Sequence, residues 1–183
     1  MGRKPRIEYE GAIYHVIQRG NNREHIFADD SDKQYLLRQI EECKRGLGFR
    51  LFGYVIMGNH YHLVLQTYDK PLHKIMHRIN GNYGRHYNLK YQRSGHVFQG
   101  RYKAILVQDE RYLLAVLRYI HQNPVSAGIC GTPDDYHYSS DTHYRRNRGE
   151  LVDIDLVLDS LADDRLLAIK CYCHPIMSGD RRC

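Results

Sequence analysis

Apolar and polar positions along the 183-residue chain change period several times, and each change marks an element. The run "AIYHVIQRG", residues 12–20, is rich in β-formers and ends at Gly20-Asn21-Asn22, which predicts a strand and then a turn. In "DDSDKQYLLRQIEECKRGLGF" the acids offer helix caps, Tyr35, Leu36, Ile40 and Leu47 fall at helical spacing, and Gly48 offers a stop. Residues 50–58 and 60–67 form two β-rich runs around Gly58-Asn59, a dipeptide suited to a tight hairpin. A second helix is expected from about Pro71 to Tyr91, with the proline in its first turn. "GHVFQGRYKAILVQ" reads as a loop entering a fourth strand near Lys103–Val107, and Asp109 caps "ERYLLAVLRYIHQN", a helix expected to end before Pro124. The order β-α-β-β-α-β followed by a helix is the split-βαβ, ferredoxin-like pattern of an α+β domain. It predicts an antiparallel sheet with helices on one face and a further helix after the fourth strand.

Composition refines this picture at the end of the chain. The basic part gives way at "RNRGE", residues 146–150, to an acidic stretch in which residues 150–164 carry six carboxylates and no base. Residues 1–148 are therefore read as the working domain and 149–183 as an acidic C-terminal tail, whose apolar positions suggest a short packing helix. No apolar run approaches the ~20 residues that span a bilayer, and the basic start lacks an apolar core like that of a signal peptide. The expectation is a soluble, cytoplasmic chain without a membrane partner. Five cysteines, odd in number and irregularly spaced, argue against a disulfide framework. The tail cluster "CYCH", residues 171–174, lacks a second ligand pair at zinc spacing.

Charge adds a partner. The net charge is +6, and from Lys70 to Gln108 no carboxylate interrupts Lys70, Lys74, Arg78, Arg85, Lys90, Arg93, Arg101 and Lys103. Such a window suits a polyanion, and the interleaved Tyr83, Tyr87, Tyr91 and Tyr102 suggest rings that stack on bases. Arg3, Lys4 and Arg6 extend the basic surface as an arm, and Arg19, Asn21, Asn22 and Arg23 follow the first strand as further DNA-contact candidates.

Candidate chemistry begins with "GNHYHLVL". Residues i and i+2 of a strand share a face, so His60 and His62 project side by side while Tyr61 faces away, a natural pair of metal ligands. On the helix after the fourth strand, Leu113, Val116, Leu117 and Ile120 form the apolar stripe while Tyr119 and Asn123, one turn apart, share a flank. Tyr119 offers a phenol nucleophile and Asn123 an amide oxygen as a third ligand. Spacing alone does not choose Tyr119 over Tyr112 on the same flank.

"GNHYHLVL" resembles the HUH motif of single-strand DNA transposases that use one catalytic tyrosine. "YHVIQRGNNREHIF", "MGNHYHLVL", "SGHVFQGRYKAILV" and "LRYIHQNPVSAG", in this order, are similar to the REP-associated tyrosine transposases over about residues 3–144. The resemblance implies His60, His62 and Asn123 as ligands of Mg²⁺ or Mn²⁺, Tyr119 as the nucleophile on a catalytic helix, and a 5′-phosphotyrosine intermediate. It also implies single-stranded DNA as partner, especially hairpins of repetitive extragenic palindromes, cut and rejoined by a monomer or homodimer. Lys74, Arg78, Arg85, Arg101 and Lys103 would then hold the hairpin by its phosphates. Gly58 where proline is common, Tyr61 between the histidines and Ser126 where arginine is frequent depart from the pattern without removing a catalytic group. The rival readings are a regulator that grips structured nucleic acid without cutting it, and a metal-dependent hydrolase that uses water. The first gives no reason for His60, His62, Tyr119 and Asn123 to coexist, and for the second "HKIMH" lacks the glutamate of the zinc-protease motif.

Overall fold

The computed structural model describes residues 8–173. β1 (Ile13–Arg19), α1 (Asp30–Leu47), β2 (Arg50–Ile56), β3 (His60–Gln66), α2 (Leu72–Lys90) and β4 (Lys103–Val107) follow in the expected order, and α3 (Glu110–Ser126), α4 (Asp141–Arg145), α5 (Asp155–Asp159) and α6 (Arg165–Cys173) complete the chain. The strands make one sheet in the order β2-β3-β1-β4, antiparallel at every pairing. Local chemistry sets the helix ends. The Asp29 carboxylate accepts from Ser31 N at 2.6 Å at the start of α1, Gly48 closes that helix at φ 64°, and Asp109 accepts from Tyr112 N at 2.7 Å at the start of α3.

Register decides which side chains meet which helices. Ile56 pairs with Tyr61 on one face, whereas Val55 and Ile17 flank His62 on the other. The buried Tyr61 packs edge-on against Phe27 and Phe98 and donates its hydroxyl to Asn80 of α2 at 2.6 Å, so α1 and α2 cover that face. α3 covers the opposite face. There a Cβ on Gly53 of β2 would stand 2.5 Å from Leu117 and 3.2 Å from Ile120, so only glycine lets this helix lie so close to the sheet.

α3 does not end before Pro124 but runs through it to Ser126. Proline lacks the N–H that would bond the carbonyl four residues back. The Asn123 side chain supplies donors instead, to Tyr119 O at 2.9 Å and to Ile120 O at 3.4 Å, while Ala127 N and Ile129 N continue the turn onto Asn123 O and Pro124 O, each at 2.9 Å.

Residues 136–140 cover the β2 edge. Ile56 N donates to Tyr138 O at 3.0 Å, the Tyr136 hydroxyl to Ile56 O at 2.7 Å, and Tyr54 N to Ser140 Oγ at 2.8 Å. The acidic segment then packs, in line with its apolar positions: Val152, Ile154, Val157, Leu158 and Tyr172 are buried in the common core. Asp153 pairs with Lys44 of α1 at 2.6 Å and accepts from Leu51 N at 2.8 Å. Among the described residues no helix is long and apolar enough to cross a membrane.

Candidate active site

β3 opens with His60 and His62 on the α3 side of the sheet, their ring centroids 5.1 Å apart and their planes at 75°. Each ring is fixed through Nδ1. His60 Nδ1 donates to the Asn59 side-chain oxygen at 2.6 Å, which leaves its Nε2 with a lone pair. His62 Nδ1 lies 2.8 Å from Nε2 of His15, a buried histidine of β1 whose ring stacks on that of His62 at 5.1 Å. With the shared proton on His62, its Nε2 is likewise free to donate an electron pair. Burial is the main reason that the pKa falls to about 4 for His60 and about 3 for His62, with Arg19 lowering both and the other imidazoles adding to the effect at His62. His15 falls to about 4 through burial and Lys103. Neutral imidazoles held at Nδ1 are the form that ligates a metal.

Tyr119 of α3 completes the cluster. Its ring stands edge-on to His62 at 6.0 Å and to His15 at 6.2 Å, yet the residue is 57% exposed, so an outside group reaches the phenol. Tyr112, the other tyrosine that spacing leaves open, makes no ring contact with these imidazoles. Asn123 lies one turn past Tyr119 with its amide nitrogen turned onto the helix carbonyls, which leaves Oδ1 as its free end. Among the described residues no group of three or more His, Cys, Asp and Glu side chains could hold a metal ion. The donors that β3 and α3 offer are the imidazoles of His60 and His62 and the amide oxygen of Asn123, groups whose chemistry suits a divalent cation that retains water or phosphate oxygens as further ligands.

His15 is absent from the residues that the sequence singles out, because a lone histidine in an apolar strand reads as core. The available signal is its alternation with Ile13, Ile17 and Arg19 on one face, but its partner lies 47 residues away. A second buried histidine, His121, ties α3 down between Tyr119 and Asn123. Its Nδ1 meets the Tyr172 hydroxyl at 2.5 Å, and its Nε2 meets Ser140 Oγ at 2.6 Å.

The proposed DNA contacts separate into groups. Arg3, Lys4 and Arg6 lie outside the described residues. Arg19 and Lys103 are exposed on the histidine face, Lys103 pairing with Ile17 across β1 and β4. Asn21, Asn22 and Arg23 form a 3-10 turn after β1, with φ 49° at Asn22 and 59° at Arg23. Arg85 and Arg101 line a groove with Asn21, Lys74 is exposed on α2, and Arg78 instead lies over Gly46 of α1. Three cations of the basic window are already paired, Lys90 with Asp32 at 2.8 Å, Arg93 with Glu24 at 2.7 Å and Lys70 with Asp69 at 3.1 Å.

The expectation that interleaved tyrosines stack on bases is not met at Tyr83, Tyr87 and Tyr102. Tyr83, Tyr87 and Tyr102 are 0%, 8% and 9% exposed because they fall on the apolar side of α2 and its following loop, and the hydroxyl of the more exposed Tyr91 is bonded to Asp32 at 2.7 Å.

The model of the IS200-like transposases matches residues 8–123, which include His60 and His62 of β3, Tyr119 and Asn123. The chain therefore belongs to the IS200-like transposase family, enzymes of DNA strand cleavage and transfer. Among solved structures it is similar to a REP-associated tyrosine transposase bound to a REP hairpin, with 20% identity and a TM-score of 0.68 over 85% of this chain and 90% of that one. It is also similar to a putative transposase from Deinococcus radiodurans R1, with 17% identity and a TM-score of 0.46 over 66% of this chain and 97% of that one. No curated protein matches.

Proposed function

We propose that the protein cleaves and rejoins single-stranded DNA beside hairpins of the REP type, with Tyr119 as nucleophile and with a divalent cation held by His60, His62 and Asn123. The observation that carries this reading is the meeting, within one chain, of an exposed phenol with two imidazoles whose Nδ1 atoms are already engaged. Family membership supports strand transfer, and the hairpin bound to the similar solved structure supports the substrate class.

A bound Mg²⁺ or Mn²⁺ would supply positive charge to the scissile phosphate. The residues of the chain do the remainder. Tyr119 Oη attacks phosphorus as the P–O3′ bond breaks, the phenolic proton passes to solvent at the half-exposed ring, and the departing oxygen takes up a proton to become a 3′-hydroxyl. The 5′-phosphotyrosine keeps the energy of the broken bond, so a 3′-hydroxyl attacking it later joins strands without ATP. Arg19 and Lys103 border the histidine face and suit the phosphates on either side of the cut. His15 holds His62 in the ligating tautomer.

The test is incubation with end-labelled single-stranded hairpins and Mn²⁺ followed by denaturing electrophoresis. A covalent adduct is expected from the wild type and from Tyr112→Phe, and none in the presence of excess chelator. Hairpin binding without any adduct would leave the non-catalytic nucleic-acid binder as the better reading.

A further inference from the structure

Tyr119 stands on a helix that is held differently on its two sides. Toward the sheet, Leu113, Val116, Leu117 and Ile120 are buried. On the side turned to the C-terminal segment a cavity of about 610 Å³ opens, with Ala115, Gln122 and Ser126 of α3 on one wall and Pro133 and Cys173 on the other. Apolar burial is non-directional, so by itself it sets the rotation and axial position of α3 less sharply than directed bonds do. Pro124 adds to this freedom. Ile120 O, which a backbone N–H at position 124 would have served, receives a 3.4 Å bond from the Asn123 side chain instead.

Two bonds pass from α3 to α6 on the cavity side, and they bracket Tyr119. Arg118 Nη2 donates to Cys171 O at 3.2 Å, and His121 Nδ1 meets the Tyr172 hydroxyl at 2.5 Å. Tyr172 is itself anchored. Its ring stacks on Tyr144 at 4.5 Å and 15°, and the Tyr144 hydroxyl donates to Phe52 O of β2 at 2.6 Å. Asp141, ion-paired with Arg145, lies 3.5 Å from the Tyr172 hydroxyl. The other ring nitrogen of His121 reaches Ser140 Oγ, which accepts from Tyr54 N, and the next residue of β2, Val55, pairs with His62. Directed bonds therefore tie α3 to the strand beside the one that carries the two imidazoles.

Resting on the transposase reading above, we propose that Tyr172 is a positioning residue: acting through His121, it holds α3 at the rotation and height that aim Tyr119 Oη at a phosphate on the histidine face. Tyr172, Ser140 and Asp141 lie past residue 123, where the match to the family ends. Aim matters because a displacement of about 1 Å between reacting groups costs on the order of 100-fold in rate.

The test uses the full chain with Tyr172→Phe, which removes one hydroxyl and keeps the ring stack, beside Ile40→Val, a trimmed core residue of α1 on the other face of the sheet. Single-turnover adduct formation on saturating hairpin and Mn²⁺ should slow at least about tenfold in Tyr172→Phe, while the hairpin Kd by fluorescence anisotropy stays within about threefold of the wild type. Ile40→Val should keep the wild-type rate. A second readout needs no cleavage. With a ring-fluorinated tyrosine at position 119, the fluorine resonance senses the edge-on rings of His62 and His15, 6.0 Å and 6.2 Å away. That resonance should move or split in Tyr172→Phe and stay in place in Ile40→Val. A smaller loss of rate, an equal loss in Ile40→Val, a Kd that weakens in step with the rate, or an unmoved resonance in Tyr172→Phe would overturn the proposal. Wild-type protein that forms no adduct defeats the transposase reading alone and leaves the resonance to decide whether Tyr172 positions Tyr119.

Discussion

His62 and His121 are each 2% exposed, and burial drives the pKa of each down to about 3. They differ in what their nitrogens do. Both ring nitrogens of His121 are taken, by Tyr172 and Ser140, and Ser140 Oγ in turn accepts from Tyr54 N of β2 at 2.8 Å. His62 spends one nitrogen on His15 and keeps the other. Burial thus does not separate a structural histidine from a chemical one. The unspent lone pair does, together with an exposed phenol beside it.

Substitutions at four positions, with Tyr112→Phe as a comparison, probe this contrast. Tyr119→Phe removes only a hydroxyl from an exposed ring, so the covalent adduct should vanish while stability stays within about 0.5 kcal/mol of the wild type. An adduct that survived there and vanished in Tyr112→Phe would move the chemistry to the other tyrosine. His121→Ala removes one partner from each of two buried hydroxyls and opens a cavity, and should cost about 2–4 kcal/mol in a urea titration. A loss under about 1 kcal/mol would remove the basis for calling that histidine structural. His62→Ala breaks one buried hydrogen bond, at about 1–3 kcal/mol, and should abolish Mn²⁺ binding by calorimetry on protein that is still folded. Retained Mn²⁺ binding there would exclude His62 as a ligand. His15→Leu should weaken Mn²⁺ about 10–100-fold, and His15→Gln, which keeps an acceptor for His62 Nδ1, should recover most of that loss. Equal affinities for Leu and Gln would mean that His15 acts by packing and not by setting the tautomer.

Much of the contrast is legible in the amino-acid sequence. The strand period puts His60 and His62 on one face, capping chemistry locates Asp29 and Asp109, and the spacing of Leu113, Val116, Leu117 and Ile120 sets the buried stripe of α3, leaving Tyr119 outside it. What stays hidden depends on contacts between distant parts of the chain. The sheet register brings His15 to His62, and residues 136–172 supply the partners of His121. Pro124 misleads because the missing donor is replaced by its neighbour's side chain, which a rule about proline alone does not include. The tyrosines of the basic window mislead because charge density along a sequence says nothing of which side of a helix carries the rings.

The edge-on contact of Tyr119 with His62 lies within one polypeptide, and whether cleavage uses that contact is readable from its kinetic order. Where a phenol and its metal ligands come from different copies, dilution below the dimer dissociation constant quenches turnover, and a mixture of two complementary inactive variants recovers activity. Cleavage by the groups of a single chain instead predicts a single-turnover rate on saturating DNA that is independent of protein concentration, and no recovery of activity on mixing Tyr119→Phe with His62→Ala.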